Sequence, residues 1–251
     1  MPSASEETVT VSQPEIVAEV RRRLAELADP QKAPQMRAYM KSSMPFLGVS
    51  AVPMRKACKA VFDDLRLPDR DSWRSAVLLL WDGARFREER YAALELTGHR
   101  YYREHQDVAT LDLYRHLVVT GAWWDLVDGI ASNRVGPILR AHHDRVAPVM
   151  AAWADDEDLW VRRTAILCQL GSKGDTDVGL LAQVLDRNLE PSLHGREFFI
   201  RKAVGWALRE YAKTDEDWVL RFVSEHSAEM SGLSRREALK NVRADTQLPN
   251  G

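Results

Sequence analysis

Two groups of side chains have the types and spacing to do chemistry. In the segment WWDLVD, Trp124 and Asp128 stand at i, i+4 and share one face of a helix. That face lies beside the apolar stripe of Trp123, Leu126, Val127 and Ile130, which follows i, i+3, i+4, i+7. An indole and a carboxylate next to the core offer a surface for a cation and a group for base or electrostatic work. The second group is Lys202, Trp206 and Arg209 at i, i+4, i+7. It runs beside the core stripe of Ile200, Ala203, Val204, Ala207, Leu208 and Tyr211. An indole between two cations suits a nucleotide and its phosphates.

Each of these residues also has a packing alternative. Trp206 can pack on a neighbouring repeat, with its flanking cations solvated. Trp124 can wedge between helices while Asp128 caps or pairs structurally. Arg163, in WVRR, can be solvated or paired with a carboxylate such as Asp156, and Tyr39, in AYMK, can belong to the core.

The elements that must position these groups are helices. From Pro14 onward nearly every segment repeats every 3.6 residues or so, and no run alternates as a strand would. The pattern predicts helices over 14–29, 32–42, 52–66, 71–82, 86–104, 107–120, 122–132, 134–153, 157–171, 175–187, 196–213, 215–227 and 234–242. Breakers separate them: Pro45 with Gly48, Pro68, Gly83, Gly121, Gly136-Pro137, Gly171 with Gly174, and Pro191 with Gly195. The stretch 188–196 reads as the longest loop. Residues 1–12 read as a disordered, mildly acidic tail, 13–245 as one helical domain and 246–251 as a C-terminal tail.

A weak repeat runs through the chain. ERYAALEL, LVDGIASN, VRRTAILC and IRKAVGWA align so that Tyr91, Asp128, Arg163 and Lys202 correspond, at intervals of roughly 35–39 residues. That period is typical of HEAT-like solenoids, in which equivalent helices line one inner wall. Asp128, Arg163 and Lys202 would then share that wall.

Composition limits the alternatives. The 251 residues carry a net charge of −2, so a surface for nucleic acid must be a local patch. Candidate patches are Arg55, Lys56 and Lys59; Arg140 and Arg145; and Arg235, Arg236, Lys240 and Arg243. Cys58 and Cys168 stand alone, and His142-His143 lacks a third ligand at a metal-site spacing. No metal and no cofactor is expected, and the His pair reads as polar surface or a backbone contact. No apolar run reaches membrane-spanning length, and MPSASEETVTVSQ has no signal-peptide pattern, so the cytoplasm is the expected location.

The stretches AYMKSSMPFLGVSAVPMRK, WWDLVD, LWVRRTAILCQL and EFFIRKAVGWALREYAK, followed by LSRREALK, resemble the AlkD-like DNA alkylation-repair glycosylases. The first four stretches span Ala38 to Lys213. The resemblance implies an all-α, right-handed solenoid of stacked antiparallel helix pairs, with HEAT-like repeats and a concave DNA-binding face. It implies a monomeric, monofunctional DNA glycosylase of base excision repair. Such a hydrolase acts on duplex DNA in the bacterial cytosol or nucleoid and cleaves N3- or N7-alkylated purines, bulky adducts included, without a tight base pocket. By the same resemblance Asp128 is catalytic. Trp124 and Trp206 are lesion-contacting aromatics, and Tyr39 matches a lesion-side tyrosine. Arg163 contacts the DNA backbone near the lesion, and Arg162, Lys202 and Arg209 are expected to hold backbone as well.

The chemistry is coherent. An N3- or N7-alkylpurine is cationic, so the leaving base needs no protonation. A poorly solvated carboxylate can stabilise charge on the deoxyribose and guide water to it. Two other classes stay open on sequence alone: a DNA-damage-binding HEAT-repeat protein without catalysis, and a HEAT-type protein-interaction scaffold.

Overall fold

The computed structural model describes residues 9–242. The fold is all-α, with fourteen α-helices among the described residues. Two compact units divide the chain, the first ending at Gln106 and the second beginning at Asp107.

The first unit contains α1 (Gln13–Glu26), α2 (Ala33–Met40), α3 (Ala51–Asp64), α4 (Arg70–Trp81) and α5 (Arg87–Thr97). α1 packs on α3 and α4, and α5 packs on the same two helices. Ile16, Val20 and Leu24 recur at four-residue steps on α1 and are buried with Val61, Phe62, Trp73, Leu80 and Leu96. Glu88 of α5 is fully buried, and its carboxylate accepts the backbone N–H groups of Leu47, Gly48 and Val49 at 2.9, 2.9 and 3.1 Å.

Residues 9–12, expected in the tail, are ordered. Val9–Thr10 (β1) pairs in parallel with Leu65–Arg66 (β2), and the Glu15 carboxylate accepts the Ser12 amide at 2.8 Å ahead of α1. A two-residue ladder is too short to show alternation, which is why it read as the end of helix 52–66. The rest of the N-terminal tail, residues 246–251 and Arg243 lie outside the described residues. The expected helix 86–104 stops at Thr97, where the Gly98 N–H is shared between the Leu94 and Glu95 carbonyls, and a short 3-10 helix, Arg100–His105, follows.

The second unit contains α6 (Leu111–Gly121), α7 (Trp124–Ile130), α8 (Gly136–Ala141), α9 (His143–Trp153) and α10 (Leu159–Leu167). It continues with α11 (Val178–Asp186), α12 (Phe198–Tyr211), α13 (Glu216–Glu225) and α14 (Gly232–Ala238). The expected loop near 188–196 joins α11 to α12. α10 packs against both α7 and α12, and α14 packs on α12.

Between α7 and α8 the chain makes a π turn over Ala131–Val135. Pro137 has no N–H to offer the Asn133 carbonyl, which instead accepts the Arg134 guanidinium at 2.9 Å. Gly136 is required there, since a Cβ would meet the Cys168 carbonyl oxygen at 2.3 Å. The expected helix 134–153 breaks at His142, where φ is −135°.

Candidate functional site

A cleft of about 300 Å³ opens in the second unit. Trp124 and Asp128 enter it from α7, Arg163 from α10, and Lys202, Trp206 and Arg209 from α12. The two off-core stripes and one position of the repeat thus converge on one space. α7 starts cleanly because Ala122 takes a left-handed φ of 41° that ends α6. Leu126, Val127 and Ile130 are buried, as their spacing predicts. Trp123 is half-buried and sits just ahead of the helix, not within it. Its ring packs on Trp160 and Phe199, with centroids 6.1 and 5.3 Å away, and so backs the cleft. On α12, Ile200, Ala203, Val204, Ala207 and Leu208 are buried, while Tyr211 is half-buried against Trp218.

Asp128 is held by one arginine. Arg163 Nε donates to Oδ1 at 2.7 Å and Nη2 donates to Oδ2 at 2.8 Å. Arg163 Nη1 donates to the Phe199 carbonyl at the start of α12, so one guanidinium ties three helices together. Asp158 supports it from below by capping α10, accepting the amides of Trp160 and Val161 at 2.8 and 3.0 Å. The Asp128 side chain is 15% exposed and that of Arg163 is 5% exposed. Burial lifts the Asp128 carboxyl above the usual carboxylate range; the Arg163 bond and charge oppose that lift, and the like charge of Asp125 adds to it. Each oxygen keeps a further lone pair for a group in the cleft.

The structure differs from expectation at two arginines. Arg163 is buried, and each of its three guanidinium nitrogens is bonded inside the fold, so three of its five N–H groups go to holding Asp128 and the start of α12. Arg162 is also buried, bonded to the carbonyls of Asp156 and Arg187 and to Asn188 Oδ1, away from the cleft lining. Asp156, the alternative partner for Arg163, is taken instead by Arg115 at 2.8 Å.

Lys202 and Arg209 do line the cleft, and each has an ion-pair partner. Both pair with Glu237 of α14, at 2.8 Å for Lys202. Among the charged residues lining the cleft, three cations face two carboxylates, so one net positive charge remains. Trp124 and Trp206 are both half-buried and line it as the spacing predicts. Tyr39 belongs to the first unit, at the end of α2, where it is 76% exposed and outside the core.

Sequence reasoning missed Phe198, Phe199 and Glu237. Phe198 stands four residues before Lys202, so extending the second stripe by one turn would have found it. Glu237 carries no local signal, because it reaches the cleft from another helix.

The remaining candidates do not join this site. His143 bonds Asp177 at 2.8 Å, Arg55 pairs with Glu95 and Lys59 with Asp63. Cys58 and Cys168 are buried, and burial pushes both thiols up to about 12. Among the described residues no cluster of three metal-ligating side chains occurs, and no helix is long and apolar enough to cross a membrane.

The family of DNA alkylation repair enzymes matches residues 20–242, and this chain belongs to it. A solved structure described as a predicted DNA alkylation repair enzyme from Enterococcus faecalis is similar, with 28% identity and a TM-score of 0.69. The likeness covers 86% of this chain and 97% of that one. No curated protein matches the chain.

Proposed function

We propose that this chain is a monofunctional DNA glycosylase that hydrolyses the N-glycosidic bond of N3- or N7-alkylated purines. It would act as a monomer on duplex DNA in the bacterial cytosol or nucleoid and leave an abasic site. One observation carries the reading: a desolvated carboxylate, Asp128, fixed by Arg163 in a cleft that also presents two indoles and two further cations.

Water adds to C1′ of the deoxyribose while the C1′–N bond breaks. The bonding pair moves into the purine and neutralises its positive charge. Asp128 stabilises charge on the sugar and accepts a hydrogen bond from the attacking water, whose proton passes to the carboxylate or to solvent. Trp124 and Trp206 attract the cationic base through their ring faces. Lys202 and Arg209 hold backbone phosphate, which fixes register without reading sequence. The cleft is open and lined at its edge by Phe198, which suits bases too large for a closed pocket.

A second reading is favoured by one feature. Both Asp128 oxygens accept bonds from Arg163, as in a purely structural pair, and a protein that only binds damaged DNA would need no more. Single-turnover release of 7-methylguanine and 3-methyladenine from methylated duplex DNA separates the two. Release by wild type and not by Asp128→Asn supports the glycosylase. Retained binding with no release of these or of a bulkier N7 adduct would support the binding protein.

A further inference from the structure

Glu237 does not resemble a surface counter-ion. Its carboxylate bridges Lys202 and Arg209, yet its side chain is 14% exposed against 40% for Lys202 and 21% for Arg209. The anion is therefore the most shielded member of the trio. Its place is fixed by close helix packing. A Cβ on Gly205 of α12 would meet Glu237 Cβ at 2.6 Å and the Ser234 carbonyl oxygen at 2.8 Å, so only glycine lets α14 approach this near. Ser234 Oγ donates to the Arg201 carbonyl at 3.0 Å, and Ser231 accepts the Ser234 amide at 3.0 Å at the start of α14. These bonds lock the α14 backbone against α12 and aim the Glu237 carboxylate at both cations, beside Trp206.

A carboxylate and a phosphodiester are both anionic acceptors with two oxygens, and a lysine with a neighbouring arginine serves either. We propose that Glu237 is an internal stand-in for a DNA phosphate: in the free protein it fills the anion site of Lys202 and Arg209, and a phosphodiester must displace it. The inference rests on the DNA reading above and deepens it. Glu237 is then a positioning residue with two effects. It keeps the two cation side chains extended into the cleft, and it lowers the affinity for DNA that carries no lesion. Lys202, the more exposed of the two cations, is the first to meet the phosphate.

The test is binding of the full chain to an undamaged duplex, read by fluorescence anisotropy across a potassium chloride series. Removing one internal anion frees about one cation for phosphate, so E237Q should steepen the slope of log K against log salt by about 1. The same change tightens binding several-fold near 0.1 M salt. E237D keeps the charge and should keep a slope close to wild type. Thermal melting checks that both variants fold. Should Gln fail to fold, E237M has similar length without the charge and takes its place. A slope for the neutral variant that equals or falls below wild type would overturn the inference while leaving the DNA reading intact. A wild-type chain that binds no duplex even at 0.05 M salt would overturn both.

Discussion

Glu88 in the first unit and Asp128 in the second are both shielded carboxylates on helices, and they are satisfied in opposite ways. Glu88 accepts three consecutive backbone N–H groups from the loop at Leu47–Val49 and lines no described cleft. Its charge is spent on holding a loop whose amides would otherwise be buried without partners. Asp128 is satisfied by one side chain, Arg163, and lines a cleft that a ligand can enter. Burial by itself therefore does not mark a working carboxylate. On the proposed function, the mark is a partner that fixes the group while leaving lone pairs free on the solvent side.

Substitutions can break or sharpen this contrast. The largest effect belongs to Asp128→Asn, for which single-turnover excision should fall about 10³-fold, the scale of losing a central electrostatic or base group. Duplex binding should persist, and calorimetry should find the fold retained with a loss of about 1–3 kcal/mol, since Arg163 keeps only one good acceptor. Glu88→Gln should do the reverse. It should lower stability by about 3 kcal/mol in denaturant titration, because Gln cannot accept all three amides. Excision per folded molecule should stay at the wild-type rate, and a 10-fold loss there would erase the distinction between the two carboxylates.

Arg163→Met probes the partner. On the proposed mechanism the rate needs ionised Asp128, so it should fall as pH drops through the Asp128 pKa, which already lies above the usual range through burial. Without the opposing cation that pKa rises further, and the acid limb of the pH–rate profile should move to higher pH. An unmoved limb would show that another group titrates there. Tyr39→Ala should give the smallest effect. At 76% exposure its loss should alter stability by less than about 0.5 kcal/mol. A lesion contact would show as a few-fold fall in excision, and no fall would remove Tyr39 from the site.

Much of the second unit was legible in the sequence. The stripes on α7 and α12 were legible apart from Trp123, which falls ahead of α7, and Tyr211, which is half-buried, since an angle around one helix follows from spacing alone. The weak repeat placed Asp128, Arg163 and Lys202 at equivalent positions, and all three line the cleft. Less legible were the joints. The strand pair at Val9–Thr10 and Leu65–Arg66 is too short for a pattern, and the break at His142 interrupts an apolar period that continues across it.

The sequence by itself determined the all-α class, the buried faces of the helices and the presence of two aromatic and charged stripes beside the core. All of these follow from periodicity along single segments. Only the tertiary structure decided which charges meet. It gave Arg163 to Asp128 and Asp156 to Arg115, buried Arg162 away from the cleft, and brought Glu237 between Lys202 and Arg209. The physical reason is that ion pairing between helices depends on their distance and crossing. Those are set by close approaches such as Gly136 on Cys168 and Gly205 on α14, which join residues remote in the chain and leave no mark on local spacing.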